Sequence, residues 1–99
     1  MRERGPLGEW IEYNGSIATV GYTKEALETI GTILWVGLPE IGATIEKGET
    51  VVVLESAKAA TDCESPLSGK IVEVNTSLLD DVHPMNNAPE ETWIFRIES

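Results

Sequence analysis

Val51-Val-Val-Leu-Glu-Ser-Ala-Lys-Ala-Ala-Thr-Asp-Cys-Glu-Ser-Pro-Leu-Ser-Gly-Lys-Ile-Val-Glu-Val74 is the stretch around which the chain is organised. Its first arm, Val51 to Leu54, and its last, Lys70 to Val74, are β-branched runs, and Lys58 stands between them among Ala57, Ala59 and Ala60. Strand-like arms on either side of a small-residue tip predict a hairpin or strand pair, and Ser65-Pro66-Leu67-Ser68-Gly69 predicts a second turn before a strand resumes. Lys58 is therefore expected to project into solvent with nothing bulky to shield its amine, a geometry that suits acylation by another enzyme. Side-chain alternation puts Leu54 and Glu55 on opposite faces, so Glu55 points outward while Leu54 packs.

Composition bounds the rest. A chain of 99 residues predicts one domain over 1–99, able to bury roughly two-thirds of its unfolded surface. Seven basic against seventeen acidic residues give a net charge of −10, which lacks the footprint for nucleic acid or anionic lipid and favours a basic or dipolar partner surface. The single cysteine, Cys63, has no internal partner, the first eight residues lack the apolar run of a signal peptide, and no stretch approaches a membrane span. These features predict a reducing, cytoplasmic setting. Asn14-Gly15-Ser16 and Asn75-Thr76-Ser77 then read as turns rather than glycan acceptors.

Residues 1–8, with Gly5 and Gly8 around Pro6, read as a loose lead-in. From Trp10 the chain alternates through Glu12 and, across Asn14-Gly15, Ile17, Thr19 and Gly21, which predicts paired strands over Glu9–Tyr13 and Ser16–Gly21 with Asn-Gly at the turn. Thr23 as N-cap, Glu25 in the first turn and Gly31 as terminator predict a short helix over Lys24–Ile30. Seven residues do not hold a helix alone, so Leu27 and Ile30 must pack on a sheet. Thr32–Val36 reads as a strand, and Gly42-x-x-Ile45-x-x-Gly48 as two turns pinned by Ile45 in the core. A loose echo of Gly48–Leu54 in Ser68–Asn75 suggests two related halves. Thr76–Thr92 loses periodicity and reads as a long irregular connection with a turn of helix at Ser77–Leu79, before a closing strand from Trp93 to Ile97.

The run Glu-Ser-Ala-Lys-Ala at 55–59, followed by Ser65-Pro-Leu-Ser-Gly-Lys-Ile-Val-Glu-Val-Asn75, resembles the lipoyl-attachment region of the glycine cleavage system H protein family. The resemblance extends from about Glu9 to Ile97. It implies a mainly β fold, the barrel-sandwich hybrid of lipoyl and biotinyl carriers, with one short helix near residues 24–30. It implies lipoic acid in amide linkage to Lys58, with Glu55, Ala57 and Ala59 recognised by the lipoylating enzyme, a lipoate ligase or lipoyl transferase. Biotin carriers generally flank the lysine with methionines, and this chain has Ala57 and Ala59. The implied function is a carrier in glycine catabolism and one-carbon metabolism, shuttling the aminomethyl group of glycine between glycine decarboxylase, aminomethyltransferase and dihydrolipoamide dehydrogenase. Such a carrier is a non-catalytic, monomeric component. The alternatives are a short H-like carrier or lipoyl relay serving another pathway, and an unmodified interaction domain of the same fold.

In the family a Glu-Trp pair near the N-terminus lies by the cleft that shelters the aminomethylated arm, which assigns Trp10, with Glu12, to that cleft. Gly8 stands where the family usually has histidine, and the family's C-terminal helix has no counterpart before Ser99. Asp62 and Glu64 read as a solvated edge and Cys63 as a small buried hydrophobe. Trp10, Trp35 and Trp93 read as core or half-buried strand residues. His83 with Asp80 and Asp81 lacks the further ligands of a zinc pattern, so no metal site is expected. A single histidine leaves no nucleophile-base-orienter set, so no catalysis of its own is expected either.

Overall fold

The computed structural model describes residues 2–99. Nine strands form two antiparallel sheets among the described residues: β1 (Arg2–Arg4), β2 (Glu9–Asn14), β3 (Ile17–Tyr22), β4 (Ile33–Gly37), β5 (Thr44–Ile45), β6 (Thr50–Ser56), β7 (Ala60–Glu64), β8 (Gly69–Val74) and β9 (Trp93–Glu98). The larger sheet runs β1-β2-β3-β9-β8-β5 and the smaller β4-β6-β7. This is the barrel-sandwich architecture that the resemblance implied. Val20, Ile71, Phe95 and Ile97 from the larger sheet meet Val36, Val52 and Leu54 from the smaller, all of them buried. Ile45 packs on the edge of this core.

Helix α1 (Lys24–Ile30) has the predicted bounds, and its ends show why. The Thr23 hydroxyl accepts from the Ala26 N–H at 3.2 Å, Gly31 closes the other end with its N–H on the Leu27 carbonyl, and Leu27 is buried. A carboxylate from far along the chain completes the start, since Glu90 Oε2 accepts from the Lys24 N–H at 2.8 Å.

Four local readings are corrected. Residues 2–4, expected to be loose, pair as β1 with Trp10–Glu12, and the Arg2 guanidinium lies 4.0 Å over the Trp10 ring. Cation–π contact and ion pairing to Glu12 give this short edge strand side-chain anchors that its polar composition concealed. Second, Asn14 pairs with Ile17, so the turn residues are Gly15 and Ser16, and only Gly15 takes positive φ, at 63°. Third, the partner of β6 is β7, whereas Gly69–Val74 joins the other sheet between β5 and β9. Fourth, the connection over 76–92 is more ordered than its lost periodicity suggested. It holds 3-10 turns at Thr76–Leu79 and Pro89–Glu91 and a helix, α2 (His83–Asn87), that bury Leu78 and Met85.

Gly21 shows how closely this part is packed. A Cβ there would run into the indole of Trp10, which is itself buried and donates its Nε1–H to the Pro89 carbonyl at 3.0 Å. The Gly21→Ala variant should lose about 1–3 kcal/mol, the usual cost of overpacking. In thermal unfolding its midpoint should fall by at least about 5 °C, given roughly 4–8 °C per kcal/mol for a domain of this size. A midpoint equal to wild type would show that Trp10 is not fixed in this position.

Candidate functional site

The β6-β7 hairpin is in register with Glu55 opposite Ala60, which leaves residues 57–59 as its tip. Ser56 closes that tip. Its backbone N–H donates to the Ala59 carbonyl at 3.0 Å, and its hydroxyl accepts from the N–H groups of Lys58 and Ala59 at 3.2 and 3.3 Å. The base is tied sideways as well, because the Ala57 N–H donates to the Thr32 carbonyl at 3.3 Å, just ahead of β4. On its far side β4 is held by Asn86, whose side chain accepts from Ile33 N–H at 2.8 Å and donates to Ile33 O at 2.9 Å. That amide satisfies the free edge of β4 as a neighbouring strand would.

Lys58 is exposed at this tip, and its ammonium makes no ion pair among the described residues. Its Cδ and Cε come within 3.7 Å of where a Cβ on Gly31 would stand, so the stem lies against the glycine that ends α1. Ala57 and Ala59 are exposed beside it, and Glu55 is exposed one step down the hairpin, with Leu54 fully buried on the opposite face.

A largely apolar cleft of about 290 Å³ opens between α1 and β7. Leu7, Ala26, Ile30 and Tyr22 form its walls, Thr61 and Cys63 its β7 side, and Glu9 and Asp62 complete its lining. Glu9 is only 1% exposed and accepts from the Leu7 N–H at 3.0 Å. Trp10 and Glu12, assigned to such a cleft from the sequence, are not part of it. They lie on the other face of β2, where Arg2 covers the Trp10 ring and bonds Glu12 at 2.6 Å. Alternation then puts Glu9 on the cleft face in their place. The signal for Glu9 was already in the Glu-Trp pair, but a charged residue at a strand start reads as exposed unless the covering loop is known.

Gly8 takes φ +92°, and a Cβ there would come within 2.8 Å of the Ala26 methyl. The departure from histidine at this position is thus matched by a local backbone that suits glycine. Cys63 is buried, as expected of a small hydrophobe, and burial pushes its thiol up despite the hydrogen bond with Tyr22 that pulls it down. The Tyr22 hydroxyl is pushed well up, first by its own burial and then by Cys63. His83 sits in solvent, 2.9 Å from Asp81, whose carboxyl is held low by hydrogen bonds from the His83 backbone and ring.

Two sheets around one core, with a lysine carried out on a hairpin tip between alanines, define a lipoyl- or biotinyl-carrier type of module. The model of the glycine cleavage H-protein family matches residues 3–99. The chain belongs to that family. It is 47% identical over 99 residues to the glycine cleavage system H protein of Thermotoga maritima, covering 99% of this chain and 80% of that one. It is 39% identical over 94 residues to the mitochondrial H protein of Pisum sativum, covering 94% of this chain and 57% of the pea protein. The crystal structure of a glycine cleavage system H protein from Mycobacterium marinum superposes with a TM-score of 0.88 at 35% identity, over 98% of this chain and 82% of the other.

Because Cys63 and Tyr22 both ionise above their ordinary ranges when folded, the folded state holds their protons longer than the unfolded chain does. Their contribution to stability is therefore complete below the ordinary thiol pKa of 9.0 and declines as pH rises through the raised folded values. Thermal midpoints should fall between pH 8 and pH 11, by less in Cys63→Ala than in wild type. Thiol alkylation near neutral pH should be slow until denaturant is added, because the thiolate is the reactive form.

Proposed function

We infer that the protein is the lipoyl-bearing carrier of the glycine cleavage system and that Lys58 is its attachment residue. The observation that carries this is an exposed amine, without an ion pair among the described residues, at an alanine-flanked tip whose backbone is held from two sides, by Ser56 and by Thr32. An acyl acceptor must be reachable and must not be held in an ion pair, and Lys58 meets both conditions. A lipoyl group joined to Lys58 would supply a disulfide able to carry the aminomethyl group of glycine. The chain's own work is to hold the root of that tether still and to leave its far end free.

The cleft beside α1 is the natural resting place for the loaded arm. The Lys58 stem already lies against Gly31, the end of the helix that forms one wall. Apolar Leu7, Ala26 and Ile30 suit a hydrocarbon tether, while Glu9 and Asp62 suit a cationic amine at its end. Water excluded from that site protects a labile group. Glycine decarboxylase, aminomethyltransferase and dihydrolipoamide dehydrogenase are the partners this assigns, with a lipoate ligase or lipoyl transferase acting first. We place the protein, as a monomeric single domain, in a reducing cytoplasmic compartment, a reading supported by the buried thiol of Cys63.

Intact mass after co-expression with a lipoate ligase should increase by one lipoyl group in wild type and by nothing in Lys58→Arg. Purified decarboxylase should then catalyse glycine–bicarbonate exchange in proportion to added lipoylated protein. The same mass gain, or the same lack of one, in wild type and variant would refute attachment at Lys58, and exchange indifferent to the carrier would refute the pathway.

A further inference from the structure

The smaller sheet has one face in the core and one in solvent, and the register of its strands fixes what the solvent face displays. Trp35, Glu55 and Ala60 are cross-strand neighbours and form the row next to the lysine tip. Gly37, Val53 and Asp62 form the next row, and Glu64 stands opposite Thr50 beyond it. Trp35 is 48% exposed. Its ring is laid along the sheet over Gly37, where a Cβ would come within 2.9 Å of Cη2. A glycine at 37 is what allows the indole to lie down, next to Val53, as a flat apolar platform.

This face has one sign of charge. Glu55, Asp62 and Glu64 are exposed on it, and β4, β6 and β7 contain no lysine or arginine. At about 3.3 Å per residue, the row containing Trp35 lies only about 10 Å along the hairpin from Lys58. An enzyme that forms an amide at the Lys58 amine has to approach the tip closely, and this row is the nearest part of the sheet's solvent face to it. Enzymes that act at the far end of the tether meet the cargo away from its root and have no such need.

Resting on the assignment of Lys58 above, we propose that this face, anchored on Trp35, is the docking surface for the enzyme that acylates Lys58. The complementary surface is an apolar pocket rimmed by basic side chains. Trp35 supplies a rigid aromatic anchor that loses little conformational freedom on binding, the kind of residue that dominates interface energetics. The acidic residues around it steer a basic partner and set orientation. Glu55 then acts as one part of a larger footprint.

The test is the rate at which purified lipoate–protein ligase modifies the apo protein, followed by intact mass over carrier concentrations from well below saturation to above it. Trp35→Ala should lower kcat/KM about tenfold or more, mainly through KM, and Trp35→Phe should restore a large part. Tyr13→Ala, which removes an exposed aromatic side chain from β2 of the larger sheet, should match wild type. Glu64→Lys should also slow modification and flatten its dependence on salt, which keeps the test decisive should Trp35→Ala fold poorly by circular dichroism. Once fully lipoylated, Trp35→Ala should support glycine–bicarbonate exchange at the wild-type rate. Modification of folded Trp35→Ala and of Glu64→Lys at the wild-type rate would overturn the proposal while leaving Lys58 as the attachment site. A loss of exchange in lipoylated Trp35→Ala, with modification unchanged, would overturn it in favour of a decarboxylase contact. Wild-type protein that the ligase leaves unmodified would overturn the assignment of Lys58 itself.

Discussion

The constraint on which the rest depends is the backbone closure of a three-residue tip. Residues 57–59 form no strand, so their N–H groups need partners that a turn this small cannot all provide. The Ser56 hydroxyl takes two of them and the Thr32 carbonyl a third. Each bond is a modest one, worth about 1 kcal/mol net. Their combined effect is to make the direction in which Lys58 leaves the body a property of the fold.

That closure is only as firm as β4, and here the seemingly shapeless connection over 76–92 becomes important. Asn86 pairs with both backbone groups of Ile33, and Ile33 stands opposite Ser56 in the neighbouring strand. The same connection reaches the opposite end of α1 through Glu90 and receives the Trp10 indole at Pro89. A segment with no hydrophobic period thus braces the lysine tip, the helix start and the N-terminal strands at once. Its bonds run through single polar side chains and carbonyls, which leave no repeating trace in a sequence.

What could be read in advance follows the same division. Helix α1 was legible to its last residue because both signals, Thr23 and Gly31, are local. The two faces of β6 were legible because alternation is local too, with Leu54 in and Glu55 out. The pairing of β6 with the short Ala60–Glu64 segment was not, because three of those five residues are exposed and only Cys63 is buried, so the arm lacks a strong apolar pattern. Glu9 escaped for a related reason. Three successive residues, Glu9, Trp10 and Ile11, are buried, since a loop covers one face of β2 and Arg2 the other. A strand closed on both faces loses its period of two, and with it the means of telling cleft from solvent.

The period of two also explains how one hairpin can serve two kinds of contact. Thr61 and Cys63 turn toward the core side and help wall the cleft, whereas Glu55, Ala60 and Glu64 turn outward with Trp35. Asp62, on the free edge strand, borders the cleft from the outward row. A slip of one residue in β7 would exchange the two sets, bringing carboxylates into the core and the thiol into solvent. The bulge between Thr50 and Val52 absorbs a residue at the far end of the hairpin, so the register near the tip stays correct without a longer loop. Register therefore decides more than pairing in this molecule. It separates a side that walls an apolar cleft from a side that stays open to solvent, and it does so within five residues.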